Sequence, residues 1–163
     1  MKVGIISDTH DHTENVLAAI EIFNDQQVDY VFHAGDFTTA FTATNFAQLK
    51  TARFRAVLGN MDGSGKKIKK AAAGFGGEIC DLACQATIQN RHIYMIHKND
   101  RLDEVLALKQ YDLVIYGHTH HPDIRWVDNT LLVNPGEATN RITGVAQMVI
   151  LNLDDMNYQV FPL

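Results

Sequence analysis

The sequence predicts an α/β fold in which two mixed β-sheets pack face to face with helices on the outside. Three observations support this prediction. The first half of the chain alternates short apolar runs with amphipathic segments, which is typical of parallel strands joined by helices. The second half consists mainly of strand patterns separated by turns, which predicts an antiparallel or mixed sheet. With 163 residues, the chain has the length of one domain with its own core.

The first half is predicted to alternate strictly between strand and helix. Its elements are strand 2–7, a helix from Thr13 to Asn24, strand 28–33, a helix from Thr39 to Lys50, and strand 53–58. Thr13 is expected to cap the first helix with its hydroxyl group. This order predicts right-handed crossovers between parallel strands. The segment 66–73 is predicted to form a short helix that ends before Gly74.

The second half is predicted to be richer in strands. A hairpin is expected from Cys84–Ile88 and His92–His97 around the turn Gln89-Asn90-Arg91. One helix, Leu102 to Lys109, precedes the remaining strands. Those strands are 112–116, 123–127, 130–134, 145–152 and 158–161.

Composition and charge exclude several classes of protein. Apolar residues make up 46% and charged residues 20% of the chain, which is ordinary for a globular protein. The net charge of −5 argues against a nucleic-acid surface, because such surfaces carry a basic excess. No apolar stretch approaches the roughly 18 residues of a membrane helix, and the N-terminus opens directly into a strand without a signal peptide. A cytoplasmic location is therefore expected.

Five of the apolar runs stop at residues that can bind a metal ion. Such runs are typical of strands that are buried on both faces. Their carboxyl ends meet at one edge of a sheet, where we expect the ligands to gather. One Asp or His at a strand end is ordinarily a cap or a solvated group, but seven ligands at five strand ends indicate two metal ions that share one carboxylate. The seven are Asp8, His10, Asp36, Asn60, His97, His118 and His120.

Two pairs of these ligands are separated by a single residue: Asp8 with His10, and His118 with His120. In extended backbone, residues at this spacing point to the same side, so each pair is expected to present two ligands toward one metal region. Imidazole, carboxylate and amide donors without a thiolate favour Mn, Fe, Co, Ni or Zn over calcium.

The order of these motifs resembles that of the calcineurin-like metallophosphoesterases. The resemblance extends from residue 4 to about residue 137, and each motif is specific only as part of the set. The short length and the sequence Asn134-Pro135-Gly136-Glu137 resemble the small prokaryotic phosphodiesterase subgroup. The matching segments are Gly4 to His10, Gly35-Asp36, Gly59-Asn60-Met61-Asp62 and Tyr116 to His120.

The resemblance implies a single metallophosphoesterase domain over residues 1–163, folded as a four-layer αββα sandwich. It implies two divalent ions, with Mn or Ni expected first and Fe, Co or Zn compatible. Asp36 would bridge the metals and the other six residues would divide between them. One metal would be held by Asp8, His10 and His120, and the other by Asn60, His97 and His118.

The expected reaction is hydrolysis of a small phosphodiester. The hypothesis is that two metals about 3.5–4 Å apart share a water, lower its pKa and yield a hydroxide that attacks phosphorus in line. No side chain is expected to act as nucleophile, so catalysis is assigned to this metal-bound hydroxide alone. Neither a membrane nor a nucleic-acid partner is expected, and the subgroup resemblance implies a homodimer or homotetramer.

Three residues bear on the substrate. Many members of the wider family have histidine where this chain has Met61, which cannot donate a proton. Phosphodiesters or esters with good leaving groups are therefore expected over alkyl monoesters. Lys98, which follows His97, either contacts a substrate phosphate or faces solvent, and solvent is favoured. His12 either lines the site as a supporting or substrate-binding group or lies exposed near the helix start.

A scaffold is the alternative to an enzyme. A eukaryotic retromer subunit resembles this fold and mainly binds partner proteins, so the chain can be read as a weakly active or inactive interaction module. A complete ligand set favours the enzyme, because a scaffold is free to lose metal-binding histidines.

Overall fold

The computed structural model describes residues 1–163. Each predicted element is present, and its bounds differ from the predicted ones mostly by one to three residues. The elements are β1 (Lys2–Ile6), α1 (Thr13–Asp25), β2 (Tyr30–His33), α2 (Ala40–Asn45), β3 (Arg53–Val57), α3 (Gly65–Ala73), β4 (Glu78–Cys80), β5 (Ala83–Ile88), β6 (Arg91–Ile96), α4 (Leu102–Ala107), β7 (Leu113–Ile115), β8 (Asp123–Val127), β9 (Thr130–Asn134), β10 (Gln147–Asn152) and β11 (Tyr158–Pro162).

The strands form two mixed sheets. The first has six strands in the order β11-β10-β1-β2-β3-β4, and its strands β1 to β3 run parallel, as predicted, with β4 parallel to β3. The second has five strands in the order β5-β6-β7-β9-β8, with β6, β7 and β9 parallel and antiparallel strands at both edges. The carboxyl ends of β1, β2, β3, β6 and β7 carry the seven predicted ligands.

Three apolar layers hold the sheets and helices together. In β1, Val3 and Ile5 point into the layer between the sheets, whereas Ile6 points toward the helices. Helices α1 to α3 cover the first sheet, and α4 covers the second through Leu102 and Val105. The central strands β1, β2, β7 and β9 are mostly apolar because both of their faces are buried. The predicted four-layer αββα sandwich is confirmed.

Some local predictions are wrong. Strand β4 was missed, because Ile79 is its single large apolar residue. The helix expected up to Lys50 stops at Asn45 and continues as a 3₁₀ turn over Phe46–Gln48. The N-cap of α1 is His12 rather than Thr13. No helix in the structure combines the length and apolar character that crossing a membrane requires.

Candidate metal centre

The loops after β1 and β2 remain paired beyond the ends of the strands. The amides of Asp8 and His10 donate to the carbonyl oxygens of Gly35 and Asp36, each at 3.0 Å. A similar bond joins the loops of the second sheet, from the Gly117 amide to the His97 carbonyl oxygen at 3.0 Å. The backbone that carries the ligands is therefore fixed by contacts between loops.

Five of the seven ligands have left-handed backbone conformations. Their φ angles are 52° for Asp8, 40° for His10, 61° for Asp36, 68° for His118 and 63° for His120. The prediction that each spaced pair lies in extended backbone is therefore wrong, although both pairs reach the same edge. Left-handed conformations are uncommon outside glycine and persist where surrounding contacts impose them, often at functional sites.

Asp8, His10 and His120 form one group of converging donors, which we call the inner cluster. The Asp8 Oδ1 lies 3.5 Å from His120 Nε2 and 3.9 Å from His10 Nε2. Asp8 is completely buried, yet its Oδ1 and the His10 Nε2 have no hydrogen-bond partner. Unpaired buried polar atoms are costly, and here two of them face each other.

Asp36 lies between the inner cluster and His97. Its Oδ2 is 3.6 Å from His10 Nε2 and 3.4 Å from His97 Nε2. Asp8, Asp36 and His97 form a second converging group, so the two groups share Asp8. The Asp36 carboxylate thus lies within 3.6 Å of a histidine nitrogen from each of the two groups.

Asn60, His97 and His118 form the outer cluster. The Asn60 Oδ1 lies 3.0 Å from His97 Nε2, and the rings of His97 and His118 have centroids 5.1 Å apart. The Nδ1 of His97 donates to the Ala34 carbonyl oxygen at 2.8 Å, which leaves its Nε2 free to coordinate. The structure thus brings all seven predicted ligands to one rim.

This donor set fits divalent ions. Two ligands that are each about 2.1 Å from one metal lie roughly 3.0–3.4 Å apart. The distances between neighbouring donor atoms in the site are 3.0 to 3.9 Å, which is close to those values. These atoms belong to Asp8, Asp36, Asn60, His97 and the neighbouring histidines. The unpaired Asp8 Oδ1 and His10 Nε2 are the atoms that a bound cation would satisfy.

The charges of the site depend strongly on one another. Burial raises the pKa of Asp8 above its usual value, although Ser7, His97 and His120 oppose the shift. Burial also acts to raise the pKa of Asp36, but a hydrogen bond and the charge of His97 outweigh it and lower that pKa. Carboxylates this close together repel, and a cation between them relieves the repulsion.

Comparison with known proteins identifies the family. The sequence model of the family described as calcineurin-like phosphoesterase superfamily domain matches residues 1–156. The chain belongs to this superfamily.

Two archaeal relatives match nearly the whole phosphoesterase chain. A phosphodiesterase of Methanocaldococcus jannaschii is 39% identical over 162 residues, which cover 98% of this chain and 97% of the relative. A probable metallophosphoesterase of Methanothermobacter thermautotrophicus is 30% identical over 154 residues, with 92% of this chain and 85% of the relative covered.

Solved structures agree on the fold. The structure of an archaeal phosphodiesterase superposes with a TM-score of 0.93 at 38% identity and covers all of both chains. The zinc complex of Vps29 from Entamoeba histolytica superposes with a TM-score of 0.70 at 17% identity and covers 100% of this chain and 98% of that one. The second likeness concerns the fold alone.

Glycine is required where the rim of this phosphoesterase is most crowded. A Cβ atom on Gly59 would collide with the carboxylate and the amide of Asp36. A Cβ atom on Gly117 would collide with the Ser7 hydroxyl and approach the Asp8 carboxylate. The absence of a side chain lets the loops come close enough for the ligands to converge.

Glu137 supports the inner cluster, a role the sequence did not indicate. Its fully buried carboxylate accepts a bond from His120 Nδ1 at 2.8 Å and further bonds from Ile142 and Thr143. Burial acts to raise the pKa of Glu137, but these bonds lower it overall. A carboxylate on Nδ1 fixes the histidine tautomer that leaves Nε2 free for a metal.

Two other buried residues hold the rim and were not recognised from the sequence. Asp62 accepts bonds from the amides of Asp36, Thr38 and Gly59 at 2.7–3.2 Å, and so joins the loops after β2 and β3. His33 accepts a bond from the Gly35 amide at 3.1 Å through Nδ1 and contacts Thr9 Oγ1 at 3.0 Å through Nε2. Their partners are distant or backbone groups, so spacing alone could not reveal them.

An open pocket of about 340 Å³, the front pocket, lies over the centre. The loop after β9 contributes three residues to its wall: Thr139, Arg141 and Ile142. Arg141 is exposed and forms no ion pair or hydrogen bond with the protein, and the buried Thr139 hydroxyl also has no partner. The Arg141 guanidinium is therefore available to a ligand, whereas the Thr139 hydroxyl has almost no accessible surface. The remaining lining residues are His10, Asp36, Asn60, Met61, His118 and His120.

The sequence left two possible roles for each of His12 and Lys98, and these two residues lie in different places. His12 Nδ1 accepts a bond from the Asn15 amide at 3.4 Å, so it caps helix α1. His12 does not line the front pocket. Lys98 is exposed but lines a second cavity together with Asn60 and His97, beside the outer cluster.

Proposed function

We propose that this chain is a phosphodiesterase whose centre is formed by the seven rim ligands and two divalent ions. The observation that carries the proposal is the pair of converging donor groups that share Asp8, with the Asp8 Oδ1 and His10 Nε2 buried and unpaired. Sequence similarity to a phosphodiesterase over nearly the whole chain supports the same activity.

The ligands divide between the two ions as follows. The inner cluster of Asp8, His10 and His120 would hold one ion, the outer cluster of Asn60, His97 and His118 would hold the other, and Asp36 would bind both. Nitrogen and oxygen donors suit Mn and Ni, and Fe, Co and Zn are compatible with the same set. When bound, such ions activate water as a nucleophile and neutralise charge on the phosphoryl group.

The protein's own groups position the substrate. Arg141 donates to a phosphoryl oxygen in the front pocket, where its guanidinium has no competing partner. Charge-assisted bonds of this kind strengthen as negative charge develops in the transition state.

Met61 restricts the leaving group. Its side chain is 55% exposed, lines the front pocket and has no proton to donate. Loss of a general acid costs about 10²–10⁴-fold when the leaving group is poor. Phosphodiesters with good leaving groups are therefore the expected substrates, and alkyl monoesters are expected to react slowly.

The test is hydrolysis of bis(p-nitrophenyl) phosphate by protein stripped with a chelator and then reloaded with Mn²⁺ or Ni²⁺. We expect turnover only in the reloaded protein, and faster turnover than with an alkyl monoester. Reloaded protein that binds two ions yet hydrolyses no phosphoester would favour the scaffold interpretation instead.

Three expectations from the sequence stay predictions: a single domain over residues 1–163, a cytoplasmic location, and a homodimer or homotetramer.

A further inference from the structure

A cavity of about 430 Å³, which we call the side pocket, opens beside the metal centre. Asn60 and His97 form part of its wall, and Asn60 also lines the front pocket. The two pockets therefore meet at the outer cluster. The volume lies in the range of about 300–1,000 Å³ that is typical of small-molecule sites.

Apolar groups form one side of the side pocket: Leu58, Leu82, Tyr94 and Ile96. The Tyr94 ring is held against the Tyr111 ring, with centroids 4.9 Å apart. Leu82, in the turn between β4 and β5, is 84% exposed and is the most exposed large apolar side chain of the protein. An apolar side chain that leaves the core to line a cavity favours contact with an apolar ligand group.

Four charged residues also line the side pocket: Asp81, Lys98, Asp100 and Arg101. Lys98 forms no ion pair or hydrogen bond, whereas Arg101 is paired with Glu104 at 3.0 Å and Asp81 with Lys69 at 2.6 Å. Asp100 also lines the cavity and has no cationic partner. Lys98, directly after the ligand His97, is thus the free cation where the side pocket meets the centre.

The direction of attack decides which part of a substrate this pocket can take. In an in-line displacement the leaving oxygen lies opposite the attacking oxygen. Water activated by ions at the seven ligands would direct the leaving group away from those ligands, and the front pocket, which Met61 lines, is open to solvent. A cavity at the flank of the centre, next to Asn60 and His97, is left for the ester group that stays on phosphorus.

We propose that the side pocket is the subsite for the retained ester group of the phosphodiester, and that it selects a flat aromatic or nucleoside group over a short alkyl group. This inference rests on the proposed phosphodiesterase activity. Lys98 contacts a phosphate oxygen at the mouth of the pocket. Leu82 and Tyr94 cover the face of the ring, and Asp100 accepts a bond from a donor on a nucleoside.

The subsite can be tested with two substrates that share a leaving group and differ only in the retained ester group. They are phenyl p-nitrophenyl phosphate and methyl p-nitrophenyl phosphate. Burial of a phenyl group contributes about 1.5–3 kcal/mol, so metal-loaded protein should prefer the phenyl ester about 10–100-fold in kcat/KM. Leu82→Ser should reduce this ratio, and the exposed Leu108→Ser, outside the pocket, should not. Equal kcat/KM values for the two esters in the unmodified protein would overturn the proposal.

A binding measurement separates this proposal from the proposed activity. Calorimetry with phenyl phosphate and methyl phosphate, the products that retain each ester group, needs no turnover. Tighter binding of phenyl phosphate that Leu82→Ser weakens supports the subsite even if neither diester is hydrolysed. Turnover of both diesters with equal affinity for both products supports the enzyme and overturns the subsite.

Discussion

The inner and outer clusters differ in how firmly the protein holds them. In the inner cluster, His120 donates to Glu137, His10 contacts the Thr38 hydroxyl at 3.3 Å, and Asp8 accepts bonds from Ser7 and from the His118 amide. In the outer cluster only His97 has an outside partner, the Ala34 carbonyl oxygen. Asn60 is exposed and its side chain contacts only the His97 Nε2, and the His118 ring has no hydrogen bond.

The difference indicates that the clusters have different affinities for metal. Ligands held by outer hydrogen bonds lose little freedom when they bind an ion, whereas Asn60 and His118 must be ordered by the ion itself. We expect the inner cluster to fill first and the outer cluster to exchange its ion more readily.

The largest effect is expected from Asp36→Ala, which removes the one ligand common to both ions. Metal catalysis contributes several kcal/mol, so activity should fall by about 10³-fold or more. Metal analysis should find fewer than two ions per chain. Asp103→Ala, an exposed carboxylate on α4, is the control and should retain both ions. Full activity in Asp36→Ala would remove the bridging role.

Glu137→Gln should remove the higher metal affinity that we expect for the inner cluster. The amide has the size of the carboxylate but carries no charge. With one oxygen instead of two, it cannot accept hydrogen bonds from all four groups that now donate to Glu137. Outer partners of this type are worth about 10–100-fold in metal affinity. Titration of metal-free protein with Mn²⁺ should show the tighter binding step weakened and the weaker step retained.

The control for this variant is Glu78→Gln, whose carboxylate is exposed and pairs with Arg55 at 3.1 Å. Two unchanged binding steps in Glu137→Gln would mean that His120 is held equally well without a charged partner.

The same contrast explains what the sequence could predict. The strands follow from apolar runs buried on both faces, and the ligands follow from the ends of those runs. Chain positions near 8, 36, 60, 97 and 118 were therefore predictable. Strand β4 was not, because Glu78 and Cys80 give it no apolar pattern and its pairing with β3 supplies the reason for its conformation.

The supporting residues depend on contacts that no local pattern carries. Glu137 meets His120 across 17 positions, and His33 meets Thr9 across 24. The left-handed conformations of Asp8 and His10 arise from pairing with the loop after β2, which is why the extended backbone expected from their spacing was wrong. Arg141 lies in an irregular loop and reaches the front pocket only because that loop follows β9 to the rim.

Arg141→Met tests the substrate side of the centre without touching its ligands. A charge-assisted bond is worth about 1.5–3 kcal/mol, and exposure of Arg141 places the expected loss near the lower limit, at about tenfold in kcat/KM. Both ions should remain bound. Arg125→Met, an exposed arginine that pairs with Asp123, is the control. If kcat/KM fell equally in both variants, the effect would come from the change in net charge and not from a contact in the front pocket.

The smallest effect concerns the pH dependence of stability through His33. Burial lowers the pKa of His33 to about 3, from an ordinary value of 6.5. The unfolded chain therefore takes up a proton as the pH falls through 6.5, while the folded protein does not. The stability contributed by neutral His33 is complete above pH 6.5 and is lost as the pH falls from 6.5 toward 3.

Urea unfolding of chelator-treated protein at pH 8 and pH 5.5 measures this loss. One such histidine should reduce the free energy of unfolding by about 1 kcal/mol between these values. His33→Gln, whose amide can still accept from Gly35 and donate to Thr9, should show a smaller difference between the two pH values. If the two proteins lost equal stability, the pH dependence would come from another group and not from His33.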